Sequence, residues 1–207
     1  MNSKLSICVL GIWLSSAAFA ESWDFYSTTP EQLAPTIRAC VIAGDETGDR
    51  ENCAGLFVEP CVIKRPDFRR CFGIESEAWR IVLDEEFKMT FIEASLHDEL
   101  SDIQRPNFRR RAETVCRAQV KWQDFLDAEG NSQRAVSGAG TIGRDYAAAF
   151  YHNEISNRAL SLRQTRALTL ARADADLEVH RDRVGLSPSE LRDIYGSWCD
   201  LETGEIK

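Results

Sequence analysis

The stretch "SGAGTIG", Ser137 to Gly143, decides the fold class, because it fits the glycine spacing G-x-G-x-x-G. Between a buried strand and a helix, with an acidic residue about 20 positions on, that spacing cradles a dinucleotide and makes the chain α/β. Between two helices it is only a connection. Upstream runs "CRAQVKWQDFLDAEGNSQRA", amphipathic and helical, and downstream runs another helical stretch. No βαβ unit surrounds the glycines. The reading is therefore a Gly- and Ser-rich connection from Gly130 to Gly143, expected to be flexible, and an all-α chain.

Working outward, three long helices take shape. From about Asp67 to His97, Trp79, Leu83 and Phe87 recur at helical spacing with Val82 beside them. From Phe108 to Ala128, Val115, Ala118, Trp122 and Phe125 form a second apolar stripe. From Tyr146 to Ala173, Ala148, Tyr151, Ile155, Ala159 and Leu162 form a third. Antiparallel packing would bury all three stripes against one another. Before them, "TPEQLAPTIRACVIAG" offers Thr29 as N-cap and Pro30 at the first helical position, with Pro35 either interrupting that helix or marking its start. A second short helix is expected around "RENCAGLFVEPC", ending at Pro60, which completes a small hairpin. Near the end, Ser187, Pro188 and Glu190 form a capping box for a short helix to about Tyr195. No segment reads as a strand.

The first twenty residues have Lys4, then an apolar run from Leu5, then Ala18-Phe19-Ala20. This is the pattern of a secretory leader, cleaved between Ala20 and Glu21, and it predicts a periplasmic or secreted chain. No later stretch is apolar enough for a membrane span. Removing the leader takes away one of seven cysteines and leaves Cys40, Cys53, Cys61, Cys71, Cys116 and Cys199. Six cysteines in an exported chain predict disulfides, with 15 possible pairings. Four of them lie between positions 40 and 71 and would staple the N-terminal region. The expected organisation is a leader (1–20), a disulfide-stapled helical hairpin (21–66), a helical bundle (67–175) and a short helix with its tail (176–207).

Net charge is −8, with acidic and basic runs interspersed. That balance disfavours nucleic acid and favours encounter with a basic partner. Candidate chemistry is sparse. His97, His152 and His180 are scattered and read as surface residues; Asp84, Glu85 and Glu86 are consecutive on a helix and read as a solvated face. Ser137 and Ser187 lack a nucleophile elbow, and no cysteine or histidine spacing suits a metal or haem. No catalytic residue, metal or cofactor is expected.

The segment "AQVKWQDFLDAEG", the glycine-bearing connection and "YHNEISNRALSLRQ" together resemble the lysozyme-inhibitor LprI-like domain family over residues 71 to 166. Cys71 stands at that family's opening cysteine and Phe87 at its later aromatic position. Ala118, Gln119, Trp122, Asp127 and Ala128 match the middle motif. Glu154, Ser156, Arg158 and Leu162 match the last one. The chain departs at Leu126, where the family has Arg, at Gly130, where it has Cys, and near Tyr151 or His152, where it has a second Cys. The resemblance implies that those two cysteines bridge the ends of the glycine connection, so the connection is expected to be looser here.

The resemblance, the leader and the acidic balance imply a non-catalytic protein-binding domain of the envelope. A basic lysozyme is the specific expected partner. Ser137, Gly138, Gly140 and Gly143 are the expected contact residues, or acidic groups such as Asp45, Glu46 and Asp49 at the rim. The alternatives are an envelope enzyme acting on peptidoglycan or another polymer, and an envelope assembly factor. Oligomeric state stays open.

Overall fold

A computed structural model describes residues 24–64, 67–102, 111–138, 140–172 and 199–206. The leader, His180 and the segment with the Ser187 capping box lie outside them, as does the side chain of His97. The described residues form five α-helices: α1 (Pro30–Thr47), α2 (Val58–Lys64), α3 (Phe68–Asp102), α4 (Arg111–Val136) and α5 (Thr141–Arg172). They contain no strand, only an isolated antiparallel bridge between Cys199 and Ile206. The chain is all-α, a disulfide-stapled helical hairpin region followed by antiparallel long helices.

The 35-residue α3 is the spine. α5 packs most extensively on it, α1 lies alongside it, and α4 closes against α3 and α5. The stripe of Trp79, Val82, Leu83 and Phe87 is buried and continues through Phe91, while α5 buries Ile155, Ala159 and Leu162. These side chains share one face of each helix, so pairing the faces removes them from water together. α1 begins as its sequence suggests: the Thr29 N–H donates to the Gln32 side chain at 3.0 Å. Pro35 does not interrupt it. Lacking an N–H, Pro35 leaves only the Glu31 carbonyl without its helical bond.

Three expectations need correcting. "RENCAGLFVEPC" is not one helix ending at Pro60. Arg50–Cys53 form a 3₁₀ turn, and α2 starts at Val58 with Pro60 in its first turn, where a missing N–H does no harm. On α4 the buried face is Ala112, Cys116, Gln119, Leu126 and Gly130, whereas Ala118 and Phe125 are exposed and Val115 and Trp122 half-buried. The small residues decide that face, because they let α4 approach its neighbours closely. Finally, α4 does not end near Ala128 but runs to Val136, and α5 begins at Thr141.

The disulfides are Cys40–Cys53, Cys61–Cys71 and Cys116–Cys199. The first ties α1 to the 3₁₀ turn and the second ties α2 to the first turn of α3. The third spans 83 residues and fastens the tail to α4, and a closure that long constrains the unfolded chain most.

Candidate functional site

The glycine connection is a tight turn at the tip of a long helical hairpin. Gly130 is a buried residue within α4, and a Cβ there would fall 2.1 Å from the Tyr151 hydroxyl. Any side chain at that level would require the Tyr151 ring to move. Gly138 has φ +81°, a left-handed conformation that ends α4, and its N–H bonds to the Ala135 carbonyl at 3.3 Å. Gly143 lies inside α5, where a Cβ would sit 2.2 Å from the Gly138 carbonyl oxygen. The expected flexible loop from Gly130 to Gly143 is thus mostly helix. Two of the four expected contact residues, Gly138 and Gly143, serve the turn itself, while Ser137 and Gly140 lie between the helices.

Around this tip several large apolar side chains stand in water. Val136 is 83% exposed, Ile142 66% and Tyr146 61%. Phe125 rests edge-on to Phe150 at 6.4 Å between ring centroids and remains half exposed. Each is hydrophobic surface held out into water on a rigid support.

Beside the tip runs an open groove of about 940 Å³ between α3, α4 and α5. Four arginines line it: Arg69, Arg80, Arg134 and Arg144. Arg69 pairs with Asp145 at 3.2 Å and Arg80 with Glu77 at 3.2 Å. Arg134 stands over the Tyr151 ring at 5.9 Å. Gly138 belongs to the same wall, as do Asp127 and the buried Ser76. The sequence reading missed these arginines. Their only signal was that Arg134 and Arg144 flank the glycine stretch.

Of the motif residues, Gln119, Trp122 and Arg158 meet between α4 and α5. Arg158 Nε donates to Gln119 Oε1 at 3.1 Å, and its guanidinium stacks over Trp122 at 5.9 Å. Burial pushes Arg158 below the usual arginine range. Asp127 stands apart, in the groove wall.

Two buried polar centres contradict the sequence reading. His152 is not on the surface: it is 3% exposed, edge-on to Phe72, with Nε2 3.1 Å from Glu75 Oε1. That contact is an ion-pair distance off the line of a well-aligned hydrogen bond. Glu75 is fully buried and accepts from the Gly55, Phe57 and Val58 amides at 2.7, 3.0 and 2.7 Å, and from Trp79 Nε1 at 3.2 Å. Burial alone would raise its carboxyl. His152 and the amides outweigh that and hold it below the usual range.

Nor are Asp84, Glu85 and Glu86 one solvated face. Glu86 is buried and binds Arg163 at 2.7 Å and Arg166 at 2.9 Å. Arg163 also holds Asp45, one of the expected rim contacts, at 2.5 Å. A turn or two further on, Glu93 lies 3.8 Å from Arg166, and neither of its oxygens has a hydrogen-bond partner among the described residues. Burial pushes its carboxyl up to about 8; Arg166 opposes this and the neighbouring Glu86 adds to it. Among the described residues no group of three or more His, Cys, Asp or Glu side chains is placed to hold a metal ion.

Comparison with known protein families, curated proteins and solved structures finds no match to this chain.

Proposed function

We propose that this chain is an exported, non-catalytic protein-binding domain, that a basic lysozyme is its target, and that the α4–α5 tip is the element it inserts. The observation that carries the reading is the apolar tip. Val136, Ile142 and Tyr146 are each exposed on the helix ends flanking a tight turn that Gly138 and Gly143 allow. A rigid, aromatic-bearing projection loses little entropy on docking, which is what a cleft-filling anchor needs. Three features add support. The resemblance to LprI-like domains covers both helices of the tip. The three disulfides suit an oxidising compartment, as the leader pattern requires. The net charge of −8 would steer the chain toward a strongly basic enzyme. Among the described residues, no helix is long and apolar enough to cross a membrane.

The test is a lysozyme activity titration with oxidised protein at low and high salt. Stoichiometric inhibition that persists at high salt is expected, since apolar docking is not screened. The double variant Val136→Asp, Ile142→Asp should lose at least about tenfold in affinity, or ~1.4 kcal/mol, while keeping its helicity. Inhibition that vanishes with salt would reduce the interaction to charge attraction. No inhibition at either salt would remove lysozyme as the target.

A further inference from the structure

We propose that the groove between α3, α4 and α5 binds the carboxylate of a small molecule or short peptide, with Arg134 and Arg144 as its anchors and Ser76 as a hydrogen-bonding contact. This rests on the groove alone and not on the lysozyme reading.

Charge is the first argument. In a chain of net charge −8, four arginines converge on one groove of about 940 Å³, a volume in the range of small-ligand sites. Two of them are committed: Arg69 to Asp145 and Arg80 to Glu77. Arg144 has no acidic partner among the described residues, and Arg134 has only the Tyr151 ring beneath it. Two uncommitted guanidiniums offer the planar fork that matches an oxyanion bidentately.

Ser76 is the second, independent argument. It lies in the groove wall at 6% exposure, and its hydroxyl has no hydrogen-bond partner among the described residues. Buried hydroxyls are ordinarily paired, so this one marks a place where a partner is owed. A change of its χ1 rotamer would turn the hydroxyl toward a ligand held in the groove.

The groove also selects the kind of anion. Glu77 and Asp127 share its wall, and a polyanion would meet both. A single carboxylate meets the two free arginines at the least repulsion, with Ala148 and Tyr151 offering apolar surface for the rest of the ligand.

The experiment is an NMR titration of the oxidised protein, following the arginine Nε–H and Ser76 amide signals at fixed ionic strength. The probes are trialanine as the free acid, its C-terminal amide, and inorganic phosphate. The free acid should give saturable shifts at Arg134, Arg144 and Ser76. The amide should bind at least about tenfold more weakly, because it lacks the charged acceptor. Arg144→Ala should weaken the acid about tenfold, and Arg144→Lys, which keeps the charge and loses the fork, should fall between. Ser76→Ala should weaken it by about threefold to fivefold. Equal binding of acid and amide would overturn carboxylate recognition. Tighter binding of phosphate than of the acid would make the groove a phosphate site instead. Absence of saturation with every probe would show that no such site exists.

Discussion

Two of the buried glutamates on helix α3 lie 18 residues apart, and the protein treats them in opposite ways. Glu75, near the start, is enclosed by backbone amides, an indole N–H and His152, and stays ionised with its carboxyl below the usual range. Glu93, five turns later (at about 3.6 residues per turn), is nearly as buried but faces Arg166 at 3.8 Å without a hydrogen bond, and its carboxyl is raised to about 8. The same residue on the same helix is thus charged at one end and neutral at pH 7 at the other. Burial does not decide the charge state; the number and aim of the donors do. The Glu75 end is a structural node that fixes α2, α3 and α5 together. The Glu93 end is a place where the fold tolerates an uncompensated group.

The largest effect should come from breaking the Glu75 node. Glu75→Ala orphans three backbone amides and the Trp79 N–H in a dry interior, so it should cost about 3–5 kcal/mol in urea unfolding. The loss should appear as local exposure of the Gly55–Val58 amides to hydrogen exchange as well as in the global midpoint. A cost below about 1 kcal/mol would mean that α2 is held by its disulfide to α3 alone. The pH signature has a definite sign. A depressed folded value makes Glu75's contribution present above the ordinary glutamate value of 4.5 and lost as pH falls through the lower folded value.

Glu93 should respond in the opposite direction. Its folded value is raised, so its contribution is fully present below 4.5 and is lost as pH rises through about 8. Glu93→Gln cannot titrate. It should match the parent protein within about 1 kcal/mol at pH 4 and exceed it by about 2–4 kcal/mol at pH 9. Urea midpoints at pH 4, 6 and 9 measure this directly, and parallel profiles for the two proteins would contradict it. A third substitution sharpens the contrast. Glu86→Gln leaves Arg163 and Arg166 without their shared carboxylate and should cost about 1–3 kcal/mol. It also removes a negative neighbour of Glu93, so Glu93 should titrate below about 8 in that variant.

Much of this architecture was legible in the residues. The glycine stretch, read through its flanks, excluded a nucleotide fold, and the stripes through Trp79 and Ile155 named two buried faces. What failed has a common physical cause. Periodicity weighs large apolar side chains, and α4 is oriented by small ones: Ala112, Cys116 and Gly130 face inward while Phe125 is left outside. Gly130 read as a loop residue because nothing in the sequence announces that Tyr151 will stand against it. His152 and Glu86 read as surface because their partners, Glu75 and the two arginines of α5, are 77 and 77 to 80 positions away in sequence. The exposed groove was invisible for the same reason, since its arginines come from three helices.

The smallest effect should be at Glu85, one position from Glu86. Successive helical residues point about 100° apart, and that rotation takes Glu85 out of the interior and onto α1. There Arg38 grips it with two bonds, at 2.5 and 2.6 Å, but both side chains remain 39% exposed. The geometry is better than that between Arg166 and Glu93, yet water competes for every donor and acceptor. Glu85→Gln should therefore cost less than about 1 kcal/mol. In 1 M salt, where the screening length falls to about 3 Å, the parent protein and the variant should become indistinguishable in urea midpoint. Glu86→Gln should keep most of its cost under the same conditions, because salt does not reach its arginines. If the two variants instead lose stability equally and lose the difference equally with salt, then shielding from solvent is not what separates the glutamates of α3. The contrast between Glu85 and Glu86 would then rest on the number of arginines each one holds, one against two.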